Sequence, residues 1–175
     1  MVFSGAVEAS AGRDDLRWED LSERLRPWVD RGYRLAAAYM GDWSAAEDVV
    51  QDAVLRSWQG YDRLRDQDKL GPWFLQIVVN ECRKSSRRLR RLLLTAAADR
   101  GQEGPESRVV LDQDLRRALN KLNSDQRLVI LAHFYLDLTL VETGVMLRMP
   151  LGTVKSRLDR GLTRMRGLLA EEGGV

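Results

Sequence analysis

Apolar residues recur at helical spacing along almost the whole 175-residue chain, and no segment shows the sustained, turn-bounded alternation of a strand. Leu16, Leu21, Leu25 and Trp28 share one face, and Tyr33, Ala37 and Met40 carry the pattern past Pro27. Val49, Val50, Ala53, Val54 and Trp58 form a second stripe; Trp73, Phe74, Ile77 and Val78 form a third, with Trp73 expected in the core. Val110, Leu111, Leu115, Leu119 and Leu122 resume the period later. A helix with one apolar stripe must bury it against another helix, so the expected fold class is all-α.

Breakers divide the pattern. Gly41-Asp42 interrupts the first long segment, and Ser44 is the expected N-cap of the next helix. Residues 60–71 are polar and turn-rich, and Pro72 suits a helix start. Residues 95–107 (TAAADRGQEGPES) hold two glycines and a proline with few large apolar residues, the composition of a linker. Asn123 or Ser124 caps a helix predicted to run through Leu136, followed by two short helices near 140–147 and 152–169. The predicted organisation is a disordered tail over 1–14, a helical domain over 15–94, a linker over 95–109 and a second helical domain over 110–171.

Charge is segregated although the net charge is only +2. Between Gly41 and Leu55 every charge is acidic (Asp42, Glu47, Asp48, Asp52). Between Arg83 and Arg91 every charge is basic (Arg83, Lys84, Arg87, Arg88, Arg90, Arg91). Two faces of opposite sign suit two partners, one of them a polyanion. A single cysteine, Cys82, excludes an intrachain disulfide and a cysteine-based metal cluster, and a single histidine, His133, removes most zinc-site and catalytic-triad options. No carboxylate pair, phosphate loop or nucleophile–base set is present, so the reading is non-enzymatic and without cofactor. Met1–Gly12 lacks the basic and apolar regions of a signal peptide, and no apolar run reaches the ~20 residues that span a bilayer. The expected location is the cytoplasm, with no membrane contact.

A short helix, a tight turn at Arg148-Met149-Pro150 and a longer helix have the layout of a helix-turn-helix, whose second helix enters the major groove. Thr139 and Glu142 have capping-box spacing. Lys155, Ser156, Arg157, Arg160, Arg164 and Arg166 occupy the expected outer side of the second helix with one acid, Asp159; Val154, Leu158, Leu162, Met165 and Leu169 are its expected inner side. On spacing alone such a run could equally be a solvated helix face.

The full string LDLTLVETGVMLRMPLGTVKSRLDRGLTRMRGLL resembles region four of the extracytoplasmic-function (ECF) sigma factors, with Pro150, Gly152, Thr153, Val154, Lys155, Ser156, Arg157, Leu158 and Arg160 all in pattern. The resemblance implies that Lys155, Ser156 and Arg160 contact the −35 promoter element and that Thr153 and Arg157 anchor the backbone. Three features depart from the family: Arg148 replaces the turn glycine, so the turn must be left-handed or of another type. Thr143 and Gly144 replace an apolar–small pair, which is expected to loosen the first helix. Asp159 replaces an aromatic or histidine and could accept from a cytosine amino group or repel phosphate.

AAEDVVQDAVLRSW resembles sigma region two. By that resemblance Asp48, Gln51, Asp52 and Arg56 bind core RNA polymerase at the clamp helices of the beta-prime subunit, with the beta subunit as a further partner. LGPWFLQIVVNECRKSSRR resembles the promoter-melting segment, which implies a −10 role for Asn80, Arg83, Lys84, Arg87 and Arg88 and a base pocket in the loop of residues 61–71. The implied function is a sigma factor that binds core polymerase, recognises −10 and −35 elements and helps melt promoter DNA. Many members of the family are held by an anti-sigma factor, but no motif here names one. A stand-alone helix-turn-helix regulator would leave the acidic helix unexplained; a polymerase-binding adaptor with an impaired turn remains an alternative.

Overall fold

In this computed structural model residues 4–95 and 113–172 are described, and every regular element among them is helical. Helix α1 spans Ser4–Met40, α2 Trp43–Gly60, α3 Leu70–Thr95, α4 Gln113–Asn120, α5 Ser124–Ile130, α6 Leu140–Leu147 and α7 Leu151–Glu172. Two 3₁₀ turns, Tyr61–Arg63 and Gln67–Lys69, join α2 to α3, and a π-helical turn, Leu131–Tyr135, prolongs α5. The expected linker lies outside the described residues apart from Thr95.

Helices α1, α2 and α3 pack on one another. Leu21, Leu25 and Leu35 meet Val49, Val50 and Ala53 of α2 and Phe74, Leu75, Val78 and Val79 of α3 in one buried core. Fully burying a side chain of this size stabilises by about 1.5–3 kcal/mol. Gly71 makes the close approach possible: a Cβ there would lie 2.0 Å from the Trp28 ring. Helices α4–α7 bury Leu119, Leu128, Val129, Met146, Val154 and Met165 in the same way.

Several expectations are corrected. Helix α1 begins at Ser4, inside the span 1–14 expected to be a tail. Pro27 sits inside the same continuous helix. Asp42, not Ser44, caps α2: its backbone is extended and its carboxylate accepts from the backbone N–H groups of Ser44 (2.8 Å) and Ala45 (3.2 Å). An anion suits the positive end of a helix. Phe74, not Trp73, is the fully buried aromatic. Trp73 lies at the edge, its ring 3.0 Å from where a Cβ of Gly60 would stand, and a partly open site suits an indole with an N–H to hydrate. Leu169, expected inside, is exposed.

A polar seam joins the two halves. The Tyr39 and Ser124 hydroxyls hydrogen-bond at 2.9 Å, and Arg127 donates to the Tyr39 carbonyl at 2.9 Å. Arg148 donates to the Gln76 amide oxygen at 2.6 Å, and Gln76 donates to the Val145 carbonyl at 3.3 Å.

Candidate functional site

The three predicted groups lie on three helices, α2, α3 and α7. On α2, Asp48, Gln51, Asp52 and Arg56 are all exposed, and helical spacing puts them on one stripe. The structure adds Leu55, 57 % exposed in the middle of that stripe. Its spacing of four from Gln51 and seven from Asp48 was a readable signal. Arg56 bonds through Nε to Glu81 of α3 at 2.7 Å, and Lys84 reaches the same carboxylate at 3.3 Å. Glu81 was also missed; its signal is an acid three residues beyond buried Val78, on the inward side of α3.

Asn80, Lys84, Arg87 and Arg88 are exposed along α3. Arg83 does not join them. It turns toward the second domain and pairs with Asp125 at 3.1 Å. Nor is the segment from Tyr61 an open loop. Tyr61 is buried, donates to Asp20 and accepts from Arg24 at 3.1 Å, while Arg24 also donates to Gln67 at 2.7 Å. Burial raises the Tyr61 phenol above its ordinary pKa, with the hydrogen bond to Asp20 adding to it.

The helix-turn-helix is built as the sequence suggests. Thr139 caps α6: the Glu142 N–H donates to its hydroxyl at 3.2 Å, and the Thr139 N–H donates to the Glu142 carboxylate at 2.8 Å. Hydrogen bonds from Thr139 hold the Glu142 carboxyl below its ordinary 4.5. Arg148 closes α6 in the left-handed conformation (φ 54°, ψ 48°), so the turn is kept without its glycine.

The expected loosening of α6 is absent. Thr143 is fully buried, and a Cβ on Gly144 would stand 2.9 Å from the Met149 carbonyl, which the turn brings in close. The Met149 N–H donates to the Gly144 carbonyl at 2.9 Å. Helix α7 starts at Leu151, with the Thr153 and Val154 N–H groups donating to the Pro150 carbonyl at 2.9 and 3.0 Å. Lys155, Ser156, Asp159 and Arg160 are exposed on its N-terminal half; Thr153 and Arg157 are half-buried. Arg157 pairs with Asp125, the carboxylate that also holds Arg83.

No group of three or more His, Cys, Asp or Glu side chains among the described residues could hold a metal ion. His133 donates from Nδ1 to the Leu138 carbonyl at 2.7 Å, a structural bond. Burial pushes the Cys82 thiol up to about 12. No described helix is long and apolar enough to cross a membrane.

Comparison with known proteins gives two family matches, Sigma-70 region 2 over residues 21–92 and Sigma-70 region 4 over residues 118–167. The chain is 31 % identical over 167 residues to the ECF RNA polymerase sigma factor SigM of Mycobacterium tuberculosis, covering 93 % of the chain and 82 % of the relative. It is 28 % identical over 160 residues to the ECF RNA polymerase sigma factor SigW of Bacillus subtilis, covering 82 % and 86 %. Among solved structures it resembles the sigma factor RpoE of Bartonella quintana, crystallised with the anti-sigma factor NepR (TM-score 0.71, 26 % identity, 86 % of this chain and 97 % of that one). The fold is also that of CnrH, solved with the cytosolic domain of CnrY (TM-score 0.58, 21 % identity, 88 % of each chain).

Proposed function

The chain belongs to the ECF sigma factors of RNA polymerase, and from that premise we propose how its surfaces divide the work. It directs promoter-specific transcription initiation by RNA polymerase. The observation that carries the division is the exposure, on one chain, of an acidic stripe on α2 and a basic start to the second helix of a helix-turn-helix.

In this reading Asp48, Gln51, Asp52 and Arg56 dock on the polymerase around Leu55. The apolar side chain supplies affinity and the charged rim supplies register and steering. Lys155, Ser156 and Arg160 read base edges of the −35 element from the N-terminal end of α7, while Thr153 and Arg157 contact the backbone. Asn80, Lys84, Arg87 and Arg88 hold the opened −10 strand, a salt-sensitive interaction that offsets the cost of unstacking bases. Arg83 joins them when it leaves Asp125. Two weakly reading domains, 15–94 and 110–171, joined through 95–109, gain specificity from the fixed spacing of the two boxes. The adaptor alternative rested on an impaired turn, and the left-handed Arg148 keeps that turn closed. The protein acts without chemistry of its own, beside polymerase and DNA in the cytoplasm. Its partners include a protein of the anti-sigma kind, as in the solved RpoE complex.

Variants separate the roles. Asp48→Arg and Asp52→Arg are expected to abolish binding to core polymerase while the protein still melts cooperatively at the wild-type temperature. Lys155→Ala and Arg160→Ala are expected to keep polymerase binding and weaken −35-dependent promoter binding by about 1–3 kcal/mol each. Retention of polymerase binding by both acidic-stripe variants would remove α2 from the docking surface.

A further inference from the structure

We propose that Glu81 is a positioning residue that couples the polymerase-facing and DNA-facing sides of the first domain, an inference that rests on the roles assigned to Arg56 and Lys84 above. Glu81 is 6 % exposed, the only carboxylate among the described residues that is buried. It lies in the cleft between α2 and α3, whose walls carry Asp48, Asp52, Lys84 and Arg88. Arg56 approaches it from α2 at 2.7 Å and Lys84 from the next turn of α3 at 3.3 Å; both cations remain about half exposed.

A carboxylate withdrawn from water stays ionised at tolerable cost only beside cations that satisfy it. Glu81 therefore fixes one edge of the Arg56 guanidinium and leaves the rest on the α2 stripe beside Asp52. The same charge holds the Lys84 ammonium at the start of the basic run. Each cation screens Glu81 for the other, so a partner that draws on one changes the hold on its neighbour. Such linkage is reciprocal between the two binding events. Polymerase docking and strand capture thus share one buried charge.

The test is a pair of mutant cycles on the full chain with core polymerase. Glu81→Gln keeps the size of the side chain and removes the charge. It is expected to weaken polymerase binding about tenfold in the wild-type background and to have no further effect in an Arg56→Ala background. In the holoenzyme it is expected to change the salt dependence of promoter binding, and to lose that effect in a Lys84→Ala background. Glu81→Asp, which keeps the charge, is expected to restore most of both. An equal loss of polymerase affinity with and without Arg56 would assign Glu81 a purely structural role and overturn the proposal. So would unchanged affinity and salt dependence in Glu81→Gln. Failure of the wild-type chain to bind polymerase would overturn the functional reading itself, an outcome distinct from the other two.

Discussion

Thr143 is fully buried on α6, and its hydroxyl has no hydrogen-bond partner among the described residues. A hydroxyl left unsatisfied in the interior costs about 1–3 kcal/mol, while a methyl in the same shape costs nothing of that kind. Thr143→Val is therefore expected to raise stability by about 1 kcal/mol in urea titration; a fall would mean that the hydroxyl is satisfied. Single residues were unevenly legible. The departures at Thr143, Gly144 and Arg148 stood out in the sequence, but their effect on packing was misjudged. Gly144 looks like a loss of contact until the turn brings the Met149 carbonyl onto it. That approach depends on three-dimensional closure four residues later. Lys155, Ser156 and Arg160 were legible as exposed positions because helical spacing puts them opposite the apolar stripe. Glu81 was not, since a charge on an inward face makes sense only once Arg56 from another helix is beside it.

At the scale of elements, local chemistry fixed α6 closely. Its predicted span of 140–147 coincides with Leu140–Leu147 because both ends are set within a few residues, by the Thr139 capping box and by the turn at Arg148. A non-glycine residue in the left-handed region costs about 1 kcal/mol. Arg148→Gly is accordingly expected to stabilise the fold in urea titration, less the contribution of the exposed Arg148–Gln76 bond. Destabilisation would show that this side-chain bond outweighs the backbone strain. The other end of α6 predicts a pH response. Thr139 holds the Glu142 carboxyl below its ordinary 4.5, so the stabilisation is present above 4.5 and is lost as pH falls through the lower folded value. The stability difference between wild type and Glu142→Gln, which keeps the capping geometry, should shrink on acidification below 4.5; a constant difference across that range would exclude the linkage. Boundaries failed where length or competing caps decided them. The choice of Asp42 over Ser44 depends on side-chain reach and dipole effects that sequence spacing leaves undecided.

For the whole molecule, the domains were legible but their mutual placement was not. Nothing in either string announces that Asp125, at the start of α5, will take Arg83 from the first domain and Arg157 from the second. The contact joins residues that are far apart in sequence, and both cations were read as phosphate contacts. In this arrangement the two are neutralised by protein, so binding DNA through them requires exchanging Asp125 for phosphate. Asp125→Ala is expected to steepen the salt dependence of promoter binding by about 1–2 in slope, as one or both cations become free to displace counterions. An unchanged slope would mean that neither reaches DNA.

As an ECF sigma factor this chain brings core RNA polymerase to defined promoters. Purified core polymerase should be supplied with a library of promoter fragments, with and without the protein, and transcript start sites mapped. Discrete start sites are expected only when the protein is present, sharing two upstream boxes at fixed spacing, and they are expected to disappear with Asp52→Arg. Tight polymerase binding with no new start site would contradict that role.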